Sequence, residues 1–171
     1  MKIAAFYSSK NGTAKRALEQ LADLAPALTL LDLDRLRRPP EPTAFDLVLV
    51  GGSIRMGRIS RALKKFLKRN EGALLELPLI IFINCVFSEN REQYFRDNFS
   101  QTLLRHAIER FDFGGEMDIA RLSGSDKLTL EIVARQFSSS GRPMATLNAA
   151  AIEACAGVIT NFKRGGEGNE K

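Results

Sequence analysis

One stretch constrains the fold more than any other. From Phe45 to Gly52 the chain reads Phe-Asp-Leu-Val-Leu-Val-Gly-Gly, an almost unbroken aliphatic run. A strand with one wet face alternates apolar and polar side chains, because successive side chains point to opposite faces. A run without alternation needs cover on both faces, as in a parallel sheet with helices on either side. Leu77-Pro78-Leu79-Ile80-Ile81-Phe82-Ile83-Asn84-Cys85 repeats the pattern, with its proline at the start, where a missing N–H is tolerated.

Shorter runs at Lys2 to Tyr7 and Ala27 to Leu33 predict two more strands, and Phe111 to Met117 begins a fifth. Between them the period changes. Ala14, Ala17, Leu18, Leu21, Ala22 and Ala25 fall at helical spacing, and Pro26 marks where that helix must have stopped. Arg35 to Pro42 holds three prolines and reads as a surface loop. Ser60 to Lys68 predicts a helix with Leu63, Phe66 and Leu67 inward and lysines outward, and Glu89 to Arg110 predicts one long helix. A final helix begins at Asn148, a good N-cap residue, and runs to about Phe162. Strand and helix in alternation predict an α/β domain with a doubly wound five-stranded parallel sheet. That domain is expected to span residues 1–164, with a flexible tail at 165–171. About 118–146 is an insertion in the fifth-strand region, within which Asp126 to Phe137 reads as an amphipathic helix.

Composition narrows the function classes. With 44% hydrophobic and 26% charged residues the chain reads as an ordinary globular protein. No apolar run approaches the roughly 20 residues of a membrane span. Met1 to Tyr7 is too short an apolar stretch for a secretory signal, so a cytoplasmic location is expected. Cys85 and Cys155 are expected reduced, and no metal site is expected, because His106 is the only histidine and reads as structural. The net charge of +5 favours an anionic small molecule or lipid surface as partner. No nucleic-acid motif accompanies it.

Three loops carry the chemistry. Ser8, Ser9, Lys10, Asn11, Gly12 and Thr13 end the first strand and open the first helix. In an open parallel sheet a ligand sits beyond the carboxyl ends of the strands. Backbone N–H groups, hydroxyls and the helix dipole there suit a phosphate. The loop lacks the lysine-threonine ending of an NTPase, and the same residues would equally make an ordinary capped turn. The second loop, Gly51, Gly52, Ser53, Ile54, Arg55, Met56, Gly57 and Arg58, closes the third strand. The third, Asn84, Cys85, Val86, Phe87 and Ser88, follows the fourth. Cys85 reads as a small buried residue rather than a nucleophile.

Tyr-Ser-Ser-x-x-Gly-Thr after a first strand resembles the phosphate loop of flavodoxins, and the order of elements is similar to theirs. The resemblance implies a flavodoxin-like fold of the long-chain type that binds FMN, with the second loop against the flavin ring and the third on its other side. Flavodoxins usually carry threonine where this chain has Asn11 and Ala14. The phrase Gly-Ser-Ile-Arg-x-Gly, a basic helix after it and the insertion resemble the menaquinone-dependent protoporphyrinogen oxidases of bacterial haem synthesis. That resemblance implies oxidation of a porphyrinogen with a quinone acceptor, and peripheral contact with a membrane. Arg55 is then an electrostatic catalytic candidate, with a solvated surface arginine as the alternative. Arg55, Arg58, Arg61, Arg121 and Arg142 are candidates for holding propionates. A flavodoxin-type electron carrier, a nicotinamide-linked flavin reductase and a domain that has lost FMN are the competing readings. Of these the carrier is disfavoured by the basic charge and the reductase by the lack of any nicotinamide motif.

Overall fold

Five strands, all parallel, lie in the order β2-β1-β3-β4-β5 in the computed structural model, which describes residues 1–116, 135, 139 and 146–167. They are β1 (Ile3–Ser8), β2 (Leu28–Asp32), β3 (Leu47–Ser53), β4 (Leu79–Asn84) and β5 (Glu109–Asp112). The helices are α1 (Thr13–Leu24), α2 (Arg61–Leu75), α3 (Arg91–Asn98), α4 (Gln101–His106) and α5 (Ala149–Glu167). The chain runs outward from β1 to β2 and then crosses back to β3, so the winding reverses between β1 and β3. That reversal leaves a crevice at the carboxyl ends of these strands.

The unbroken apolar runs exist because each central strand feeds two cores. Ile3, Ala5, Tyr7, Leu47, Leu49, Ile80 and Phe82 pack with α1 and α5 on one face. Ala4, Phe6, Val48, Val50, Leu79, Ile81 and Ile83 pack with α2, α3 and α4 on the other. Gly51 and Gly52 end this pattern for steric reasons. A Cβ on Gly51 would lie 1.9 Å from the Phe82 carbonyl oxygen, and one on Gly52 would lie 2.5 Å from that of Ser8.

Several boundaries differ from the sequence expectation. The helix expected to stop at Lys68 continues to Leu75, because Leu74 is fully buried and the Asn70 amide donates to the Phe66 carbonyl at 2.9 Å. The single helix expected from Glu89 to Arg110 is a 3-10 turn followed by two short helices. Phe99 is extended between them, and Ser100 caps α4 by accepting from Leu103 N at 3.2 Å. The fifth strand begins at Glu109 and ends at Asp112, ahead of its expected start at Phe111. Asn148 starts the last helix as expected, its Oδ1 accepting from Ala151 N at 3.1 Å, but α5 reaches Glu167 rather than Phe162. The expected helix at Asp126 to Phe137 falls almost wholly outside the described residues. Gly114 and Leu147 pair as an antiparallel bridge, so the chain meets itself on the two sides of that segment.

Candidate functional site

A cleft of about 260 Å³ opens at the carboxyl edge of the sheet, lined by residues from four connections and by Tyr94 of α3. Asn11 and Thr13 come from the β1–α1 loop, and Ser53 to Gly57 from the end of β3. Asn84 to Phe87 come from the end of β4, and Gly115 and Glu116 follow β5. The three loops singled out in the sequence therefore meet in one place.

Each wall is held by long-range contacts. The β4 wall is tied to the chain after β5. Asn84 Nδ2 donates to Gly114 O at 2.9 Å, and the Cys85 thiol donates to Asp112 Oδ2 at 3.3 Å. Burial, with the Asp112 carboxylate adding to it, pushes the Cys85 thiol well above its ordinary range. It stays protonated and serves as a donor. The β3 wall turns at Met56-Gly57, where Arg55 and Arg58 exchange both backbone hydrogen bonds at 2.9 Å. Met56 has φ 49 and Gly57 φ 74, which is the two-residue turn that favours asparagine-glycine. Asn98 in α3 pins this turn, donating to Gly57 O and Tyr94 O and accepting from Ile59 N.

The β1–α1 loop presents the amino end of α1. Gly12 sits at the N-cap in the left-handed region with φ 83, no side-chain oxygen of an N-cap residue closes the helix, and its first turn holds no acidic residue. Ser9 Oγ accepts from Lys15 N at 3.1 Å. At the start of the loop a carboxylate is already in place: Asp34 accepts from Ser8 Oγ at 2.8 Å and from Ser9 N at 3.0 Å. Arg16 folds back over Gly12 and pairs with Glu116, its Nε donating to Glu116 Oε2 at 2.7 Å.

Two buried oxygens in this cleft, Ser53 Oγ and Asn84 Oδ1, have no hydrogen-bond partner among the described residues. The Asn84 amide nitrogen is committed to Gly114 O, so its unpaired atom is an acceptor. Buried polar atoms without partners are uncommon and cost about 1–3 kcal/mol each. Finding both on one cleft floor fits a ligand with a polar edge. The amino end of α1, where Ser9 Oγ takes only the Lys15 N–H, fits an anionic group beside it.

The sequence of residues 4–141 matches the family model described as the flavodoxin domain. The chain belongs to the flavodoxin family. No curated protein sequence matches it. Among solved structures, rubredoxin oxygen:oxidoreductase from Desulfovibrio gigas is 12% identical, with a TM-score of 0.44 over 81% of this chain. The chain spans 35% of that protein's length. A WrbA-like flavodoxin from Agrobacterium tumefaciens is 19% identical, with a TM-score of 0.45, covering 79% of this chain and 98% of its own. A flavoprotein from Lactobacillus acidophilus, solved in complex with FMN, is 12% identical, with a TM-score of 0.43, covering 64% of this chain and 91% of its own.

Not every residue expected at the site faces the cleft. Asn11, Thr13, Ser53, Ile54, Arg55, Met56, Gly57, Asn84, Cys85, Val86 and Phe87 line it. The Ser8 hydroxyl and the Ser9 backbone N–H turn to Asp34 instead, the Ser9 hydroxyl caps Lys15 N, and Lys10 is exposed. Arg58 and Arg61 are exposed outside the lining, and Arg121 and Arg142 lie outside the described residues. His106 closes α4, its Nε2 at 2.8 Å from Leu77 O. Tyr94, Gly115 and Glu116 line the cleft without having been singled out. Tyr94 was hidden inside what reads as one long helix, although an aromatic just after the fourth-strand loop is the signal that marks it.

Among the described residues no helix is long and apolar enough to cross a membrane.

Proposed function

We propose that this protein binds FMN in the cleft between the ends of β1, β3 and β4 and carries out redox chemistry with it. The observation that carries the reading is the pairing of two unpartnered buried oxygens, Ser53 Oγ and Asn84 Oδ1, with the amino end of a helix in one cleft. Bound FMN supplies the capacity to accept and release electrons and hydride. The chain supplies the rest. Asn11, Gly12 and Thr13 would hold the phosphate through backbone and side-chain donors, assisted by the α1 dipole. Met56, Ile54, Phe87 and Tyr94 would cover apolar ring surface, Asn84 Oδ1 would accept at its polar edge, and Ser53 Oγ would accept or donate there. Arg55 places a cation at the cleft wall.

Within that reading we infer an anionic substrate rather than a role as a one-electron carrier. The net charge of +5 suits a carboxylate-bearing substrate, and the Gly-Ser-Ile-Arg-x-Gly phrase resembles that of protoporphyrinogen oxidases. The reaction proposed is oxidation of protoporphyrinogen to protoporphyrin with a quinone as acceptor, at the surface of a membrane. Purified protein is titrated with FMN, followed by visible absorbance, and then given protoporphyrinogen with a menaquinone analogue. Bound flavin with quinone-dependent porphyrin formation is expected. Bound flavin without turnover would leave the carrier reading, and an unperturbed flavin spectrum would overturn the proposal.

A further inference from the structure

Arg16 stands where the helix dipole disfavours a cation, over the amino end of α1. Its backbone N–H donates to Gly12 O at 2.9 Å, within the first turn. Its Nη1 lies 2.7 Å from where a Cβ on Gly12 would project, so the guanidinium covers the loop itself. The carboxylate that holds it there comes from Glu116, far along the chain and just beyond β5. Nε and Nη2 both engage the single Glu116 Oε2, which leaves Nη1 on the loop side with no hydrogen-bond partner among the described residues. Asp34 occupies Ser8 Oγ and Ser9 N, which confines an entering anion to the Asn11–Thr13 end of the loop, beside Arg16. Glu116, Asn11 and Thr13 line the same cleft as Asn84, whose unpartnered Oδ1 belongs to a residue only 2% exposed.

We propose that Arg16 recognises the phosphate monoester of the cleft's ligand and that Glu116 competes with that phosphate for the guanidinium. The pair thereby sets how strongly the site prefers FMN over its dephosphorylated form, riboflavin. The proposal rests on the FMN reading above. An arginine fork suits the switch, because its flat donor array pairs with a carboxylate or a phosphate in the same geometry. Glu116 keeps the cation in place while the site is open, and its own negative charge repels the incoming phosphate. Removing that charge strengthens phosphate binding, whereas removing the cation weakens it. Riboflavin feels neither change.

The test is equilibrium titration of the full chain with FMN and, separately, with riboflavin, for wild type, Glu116→Gln and Arg16→Gln, with folding checked by circular dichroism. Glu116→Gln is expected to tighten FMN by about fivefold and Arg16→Gln to weaken it by about tenfold or more, each leaving riboflavin unchanged. Both effects should shrink at high salt. Variants that shift FMN and riboflavin by the same factor would make the pair a structural strut and overturn the inference, as would variants that shift neither. A wild-type protein that binds FMN and riboflavin equally would also overturn it, with the FMN reading intact. Folded wild type that binds neither would remove the FMN reading itself.

Discussion

Ser53 and Asn84 are register partners at the carboxyl ends of β3 and β4, and each buries a side-chain oxygen with no partner among the described residues. Replacing an unpaired buried hydroxyl by a smaller apolar group removes a desolvation cost. Ser53→Ala is therefore expected to raise the stability of the ligand-free protein by up to about 1 kcal/mol while weakening FMN binding. Urea unfolding with and without FMN reads both effects. A loss of stability in the ligand-free protein would show that Ser53 is already satisfied.

Met56 is 86% exposed and holds φ 49 at the lip of the cleft. A left-handed conformation costs a long side chain about 1 kcal/mol, and its exposure returns nothing in the free protein. Met56→Asn gives the turn its preferred asparagine-glycine pair and is expected to stabilise the ligand-free fold by up to about 1 kcal/mol. FMN affinity should fall, because the apolar cover over the ring is lost. Chemical denaturation and flavin titration of the same preparation check the two directions together. Unchanged affinity would place Met56 away from the ring.

Arg55 lines the cleft wall. A nearby cation favours the negatively charged reduced cofactor, so Arg55→Ala is expected to lower the two-electron midpoint potential of bound FMN. The shift is on the order of 20 mV for about 1 kcal/mol of lost attraction in a partly wet site. A spectroelectrochemical titration measures it, and an unchanged potential would leave Arg55 as a surface residue.

The two thiols give a pH dependence. Burial pushes the Cys155 thiol up to about 12, and Cys85 is raised by burial and then by Asp112. Both folded values lie above the unfolded one, so the neutral thiols stabilise the fold fully below the unfolded value, near pH 8.5. That stability is lost as pH rises through the window up to the folded values, by at most about 1.4 kcal/mol per pH unit for each thiol. Cys155→Ala is expected to flatten the fall in unfolding free energy between about pH 9.5 and 11.5. Identical slopes in wild type and variant would contradict the assignment.

The central strands and α1 were legible because their signals are local. Each aliphatic run records two-sided burial, and Pro26 records a stop. The break between α3 and α4 was not legible. Its cause lies partly in Asn98, whose amide serves Gly57 and Ile59 about forty positions away, and a periodicity argument sees only neighbours. That the three loops gather at one edge of the sheet could be read because each closes an apolar run. Asp34 taking the Ser8 and Ser9 donors, and Glu116 reaching Arg16, depend on contacts between distant segments. No spacing rule contains them.

The most direct test of the account maps FMN onto the molecule. Backbone amide shifts of the full chain, followed by NMR during titration with FMN, are expected to move most at Asn11 to Ala14, Ser53 to Gly57 and Cys85 to Phe87. The amino ends of the strands, near Ile3, Leu47 and Leu79, should stay still. A folded protein whose amides do not move, or whose shifts gather at those amino ends, would contradict the central claim.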